Sequence, residues 1–117
     1  MTVQECYNVI GNYDEVSARL GSERLIRKYL DKFRADDSLE CLCSALESED
    51  YEQAFLCIHN LKGLYLNLSL SQVVHSSVIL CEMLRHGAPE EDITPFLEDV
   101  KRDHDQAVET INELLNS

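Results

Sequence analysis

The chain has 117 residues, enough for one domain with a single core, and 44% of them are hydrophobic. Gly and Pro number only 4 and 2, and no tract is repetitive or of low complexity, which excludes disordered and repeat architectures. A formal net charge of −12 repels nucleic-acid backbones and anionic bilayers, so neither is expected as a partner.

Residues 1–15 include Glu5, Asp14 and Glu15 and contain no basic-then-apolar run, so they do not read as a signal peptide. No apolar stretch approaches the ~18–20 residues needed to span a bilayer. A cytoplasmic protein is expected, with residues 1–117 forming one domain.

In chain order, a capping residue followed three places later by Glu or Gln recurs at helix starts. Thr2 with Glu5 opens a short helix that Gly11 ends. A second runs Asp14–Leu20 and stops at Gly21. A third covers about Ser22–Phe33, with Leu25, Tyr29 and Phe33 as its apolar stripe. Asp37 with Glu40 opens a helix lined by Leu39, Leu42 and Leu46. Asp50 with Gln53 opens the next, lined by Ala54, Ile58, Leu61, Tyr65 and Leu68. Ser69 with Gln72 opens Ser69–His86, whose stripe includes Leu70, Val73, Val74, Leu80, Cys81 and Leu84. Gly87 and Pro89 end it, and Glu90-Glu91-Asp92 belong to the connection. Thr94-Pro95 suits a cap and a first-turn proline for a last helix over Pro95–Leu115. Leu97, Val100, Ala107, Ile111 and Leu114 line it.

There is no hairpin dipeptide and no sustained period-two alternation, so no strand is expected. Short connections imply antiparallel neighbours. The expected fold is all-α: an up-down four-helix bundle with additional short N-terminal helices. Such a chain completes its own bundle, so a monomer is expected.

The chemistry concentrates in Ala54-Phe55-Leu56-Cys57-Ile58-His59-Asn60-Leu61-Lys62-Gly63. On a helix, the core stripe centres between Ile58 and Leu61, and His59 points about 130° away from it, into solvent. Phe55, Lys62, Gly63 and Leu66 share that outer face. A neutral imidazole is a good nucleophile near neutral pH, because its ordinary pKa is ~6.5. Lys62 can stabilise the charge of an attached phosphoryl group. Gly63 lacks a side chain, so another protein's active site can approach closely, and it costs ~1 kcal/mol against Ala inside a helix. Phe55 and Leu66, apolar yet outward-facing, suit a small docking patch.

The run His59-Asn60-Leu61-Lys62-Gly63 resembles the His-x-Leu-Lys-Gly signature of histidine phosphotransfer domains in bacterial and eukaryotic phosphorelays. The layout is similar further out. Tyr29 to Phe33, Leu39-x-x-Leu42-x-x-Ala45-Leu46, Asp50, the His helix and Asn67-Leu68 follow that family's order, so the likeness covers about Tyr29–Gly87. It implies a phosphorelay intermediate. His59 would accept a phosphoryl group from a receiver-domain aspartate and pass it to another receiver, Lys62 would support the group, and Gly63 would keep access open. The implied partners are receiver domains of response regulators and hybrid sensor kinases. Mg²⁺ would sit on the receiver, and the chain itself would need no cofactor. Leu64 and Tyr65 stand where the family commonly has small residues, and Ser69 stands where it has Gly. The first two are expected at the core or its edge, and Ser69 is read as the cap of the following helix.

The chain has no Gly-rich phosphate loop, Gly-x-Ser-x-Gly, Cys-x-x-Cys or His-Glu-x-x-His. It therefore reads as a carrier and not as an enzyme with its own ATP chemistry. His75 is expected to be solvated, His86 to lie in a last helical turn, and His104 to be a hydrogen-bonded core or boundary residue. The odd count of five cysteines argues against a disulfide framework. Cys41 and Cys43 diverge on a helix, as do Cys57 and His59, so no metal site is expected and buried free thiols are. Two further readings stay open: a non-catalytic helical module that binds a receiver or kinase without carrying phosphate, and a plain helical adaptor.

Overall fold

Capping chemistry sets where most of the helices begin. The computed structural model describes residues 1–116, and among them only helices occur, with no strand. They are α1 (Val3–Ile10), α2 (Tyr13–Leu20), α3 (Glu23–Arg34), α4 (Ser38–Glu47), α5 (Tyr51–Asn67), α6 (Ser71–Leu84) and α7 (Thr94–Asn116). Thr2 and Glu5 form the expected capping box, and Asp50 accepts from the Gln53 amide at the start of α5. Asn12 and Ser22 cap α2 and α3. Gly21 closes α2 at φ 83°, in the left-handed region that glycine enters freely.

Three expected caps are not made. Thr94 is the first residue of α7 and not its cap; its amide donates to Asp92 Oδ1 at 3.0 Å. Asp37 makes no side-chain cap; its neighbour Asp36 instead accepts from the Ser38 amide at 2.8 Å. Ser69 does not cap α6. It lies in the turn before the helix at φ 54°, the left-handed conformation glycine would adopt there. Contacts from the N-terminal helices hold it. The Asn12 amide donates to the Ser69 carbonyl (3.0 Å), and Arg19 Nη1 donates to Ser69 Oγ (2.7 Å). The same Arg19 nitrogen reaches the carbonyls of Leu66 (2.9 Å) and Asn67 (3.1 Å), placing a cation at the negative end of α5. Tyr7 donates to the Leu68 carbonyl at 2.8 Å. So α1 and α2 grip the turn that follows α5.

α5 packs against α4 on one side and α6 on the other; α6 also packs on α7, and α7 meets α1 and α3. The core holds Leu42, Ala54, Ile58, Leu61, Tyr65, Leu80, Leu84, Val100 and Ile111, as the stripes predicted. α3 differs. Its buried residues are Ile26, Leu30 and Phe33, while Tyr29 is 40% exposed. The stripe is displaced by about one residue, which leaves Tyr29 among the basic side chains. Half of the ten basic residues lie on α3. Arg24, Lys28 and Lys32 recur at intervals of four, a like-charge arrangement that costs about 0.2–0.5 kcal/mol per pair.

The core also contains His104. Its Nδ1 lies 2.8 Å from the Tyr65 hydroxyl, and its ring packs 5.1 Å from that of Phe33. Burial pushes the His104 pKa below its ordinary value, ahead of an opposing pull from Asp105 and Asp36. The folded state thus keeps His104 neutral where the unfolded chain binds a proton. Its contribution to stability is complete above ~6.5, the unfolded value, and declines as pH falls from there toward the folded pKa. Urea unfolding between neutral and mildly acidic pH should show this loss, and His104→Gln should remove that part of the pH slope.

No helix among the described residues is long and apolar enough to cross a membrane.

Candidate functional site

α5 supplies the site because its two faces are chemically distinct. Ala54, Ile58, Leu61 and Tyr65 turn inward, and His59 lies exposed on the opposite side. The helix is pinned on both flanks. Asn60 Nδ2 donates to Ser38 Oγ at the start of α4 (2.9 Å), and the α2 contacts hold its C-terminal end.

The imidazole of His59 stacks on Phe55, with ring centroids 5.7 Å apart and planes inclined by 27°. Among the described residues neither ring nitrogen of His59 is engaged in a hydrogen bond or ion pair. The Arg85 guanidinium, at the C-terminal cap of α6, also lies over the Phe55 ring, 5.6 Å from its centroid. Arg85 is itself paired with Glu82 at 2.9 Å. Phe55 thus contacts both His59 and Arg85, which braces the imidazole and brings a second cation near the site. Phe55 is half-buried, so it serves as a support for His59 more than as open docking surface.

Lys62, half-buried one turn beyond His59, makes no ion pair or hydrogen bond among the described residues, which leaves its ammonium available. A Cβ built at Gly63 meets nothing within 4 Å. The space above it is open, and packing does not require glycine there. Leu66 is 47% exposed and borders a shallow cavity of about 220 Å³ with Val74 and Arg19. All five expected site residues therefore belong to one side of α5.

The sequence reading missed Arg85 and Leu56. Leu56 is 54% exposed, and lies three residues before His59, so helical spacing alone could have placed it on the outer face. Arg85 comes from the C-terminal cap of α6, thirty residues beyond Phe55, and no local pattern marks it. Leu64 and Tyr65 lie at the edge and in the core respectively, away from His59.

His75 and His104 have the expected exposure, and His86 does not have the expected place in a helical turn. His75 and His86 are exposed and His104 is buried, although α6 ends at Leu84, so His86 lies in the turn beyond it. Cys6, Cys57 and Cys81 are buried free thiols; Cys41 is exposed and Cys43 intermediate, contrary to the expectation that all would be buried. Both sit on the outer sides of α4, which covers α5 with Leu42 and Ala45 instead. Among the described residues no group of three or more His, Cys, Asp or Glu side chains could hold a metal ion.

No family model, no curated protein and no solved structure matches the chain.

Proposed function

We propose that this chain is a phosphoryl carrier of the histidine phosphotransfer kind, taking a phosphoryl group from one receiver domain and giving it to another. The observation that carries this reading is the state of His59: exposed, braced by Phe55, with both ring nitrogens unengaged among the described residues and open space above Gly63 one turn away. In this reading α4 to α7 form an up-down four-helix bundle, α1 to α3 are additions to it, and the protein works as a cytoplasmic monomer.

The transfer runs as follows. A ring nitrogen of His59 attacks the phosphorus of a receiver's aspartyl phosphate in line. The P–O bond to the aspartyl oxygen breaks, and the aspartate leaves as a carboxylate. The proton on the other ring nitrogen remains, which leaves the ring cationic, and the negative charge of the transferred phosphoryl oxygens is offset by Lys62 and Arg85. Mg²⁺ belongs to the receiver. This chain contributes a nucleophile and its placement, with no ATP site and no cofactor of its own. Reversal of the same steps on a second receiver completes the relay.

The test is to incubate the protein with a phosphorylated receiver domain and look for label on it. An adduct that is labile in acid and stable in base is the expected outcome. Binding to receivers without any label on this chain would replace the carrier by a non-catalytic binding module. Absence of both would leave only a helical adaptor.

A further inference from the structure

α3 presents a surface that folding does not explain. Arg24, Lys28 and Lys32 form one line at intervals of four, about 12 Å long, on a chain whose net charge is −12. The two acidic residues of α3 do not neutralise it. Glu23 accepts from the Tyr13 hydroxyl (3.1 Å), and Asp31 is held by Arg34 (2.8 Å). Arg24 and Lys28 make no ion pair or hydrogen bond among the described residues. Lys32 rests 5.5 Å from the ring centroid of the half-exposed Tyr29. Like charges spaced this way weaken a helix, so the line opposes the stability of the element that carries it.

The line ends at a cavity. Tyr29 and Lys32 border a space of about 520 Å³ whose walls include Leu20, Phe33, Leu64 and Leu68. That volume is in the range of small-ligand and side-chain pockets. Two of its polar side chains are already committed, Arg19 to the carbonyls at the end of α5 and Asp36 to the Ser38 amide, and most of the remaining wall is apolar. The interior thus suits an apolar group, with Lys32 at its rim and Lys28 and Arg24 running away from it along α3.

We infer that α3 and this cavity form a docking site for an acidic protein segment, which inserts one apolar side chain beside Tyr29 and lays carboxylates along Arg24, Lys28 and Lys32. A line of about 12 Å matches about four residues of extended chain. Charge complementarity selects the class. A short acidic segment meets only the local positive field, whereas an extended anionic surface such as a membrane or a nucleic acid also meets the acidic remainder of the chain. The site does not depend on the chemistry of His59.

The probe is a fluorescein-labelled peptide of alternating Glu and Ser with one central Leu, titrated into the full chain and followed by anisotropy. Saturable binding is expected, weakening about tenfold between low and moderate salt. The double variant Lys28→Glu/Lys32→Glu should lose at least about tenfold in affinity, since two attractive contacts become repulsive. Lys101→Glu/Arg102→Glu on α7 changes net charge equally and should retain most of the binding. Replacing the peptide's Leu by Gly should cost several-fold. Helical circular dichroism should show that both double variants are folded. The inference is overturned by absence of saturable binding, by equal losses in the two double variants, or by indifference to the central Leu. It is also overturned if phosphatidylserine vesicles or single-stranded DNA bind the wild type more tightly than the peptide does. Because the readout is peptide binding, a failure here leaves the phosphoryl-carrier reading untouched, and the reverse holds as well.

Discussion

A His59→Gln protein is expected to take up no phosphoryl group, at least about 10³-fold less than the wild type, because the proposed phosphoryl acceptor is gone. It should nevertheless unfold within about 1 kcal/mol of the wild type, since His59 is exposed and gives up only its stacking on Phe55. Radiolabel transferred from a phosphorylated receiver, measured beside urea denaturation, separates the two effects. Persistent label would move the acceptor to one of the other exposed histidines, His75 or His86. Unfolding of the variant would mean that His59 is part of the packing. Gly63 provides a second test with opposite signs. A side chain there meets no neighbour within the molecule, so Gly63→Ala should raise stability by about 1 kcal/mol through helix propensity alone. Gly63→Gln should stay folded and slow transfer by about 10²-fold, because it holds the partner's phosphoryl group away from in-line reach of the imidazole. A stable protein that transfers poorly would show that the glycine serves the partner's approach.

The elements legible in the sequence were those fixed by neighbours a few residues apart. Thr2 with Glu5, Asp50 with Gln53 and the stop at Gly21 involve contacts within one helical turn, and the structure has all three. The outward position of His59 followed from spacing on a single helix. What was not legible depends on distant partners. α3 has two near-equivalent apolar stripes, one through Leu25 and Tyr29 and one through Ile26 and Leu30, which converge at Phe33. Packing against α7 and α2 selects the second, and Tyr29 can accept exposure because its hydroxyl end is polar. Ser69 with Gln72 has the spacing of a capping box, yet Asn12 and Arg19, more than fifty and exactly fifty residues away in the chain, hold Ser69 in a left-handed turn instead. Arg85 reaches the site through Phe55 for the same reason, by the pairing of two helices. The one-sided signal of the His helix and the long-range support of that helix are therefore different kinds of information, and only the first is local.

That long-range support makes Gly11→Ala the most damaging small substitution expected. Gly11 has an extended backbone, φ −177°, which any residue can adopt, so conformational strain is not the reason. The reason is contact. A methyl group at Gly11 would run into the carbonyl oxygen of Ser69, with the Cα of Leu70 only 3.1 Å away. Both are backbone atoms of the turn after α5, and they cannot swing aside as a flexible side chain would. Relief requires the α1–α2 junction to lift off that turn. The Asn12–Ser69 hydrogen bond would then lengthen, and Tyr7, whose ring is buried, would lose its bond to the Leu68 carbonyl. Overpacking of this kind costs about 1–3 kcal/mol, and buried groups left without partners add about 1–3 kcal/mol more. A loss of about 2–6 kcal/mol follows if both apply, a large part of the stability of a domain this size. Urea denaturation measures it directly. A cost below about 1 kcal/mol would mean that the N-terminal helices yield without loosening the turn, and that α1 and α2 are not what holds the end of the His59 helix in place. Gly63→Ala, the same change on the same chain, should move stability in the opposite direction, because there the new methyl group meets only solvent.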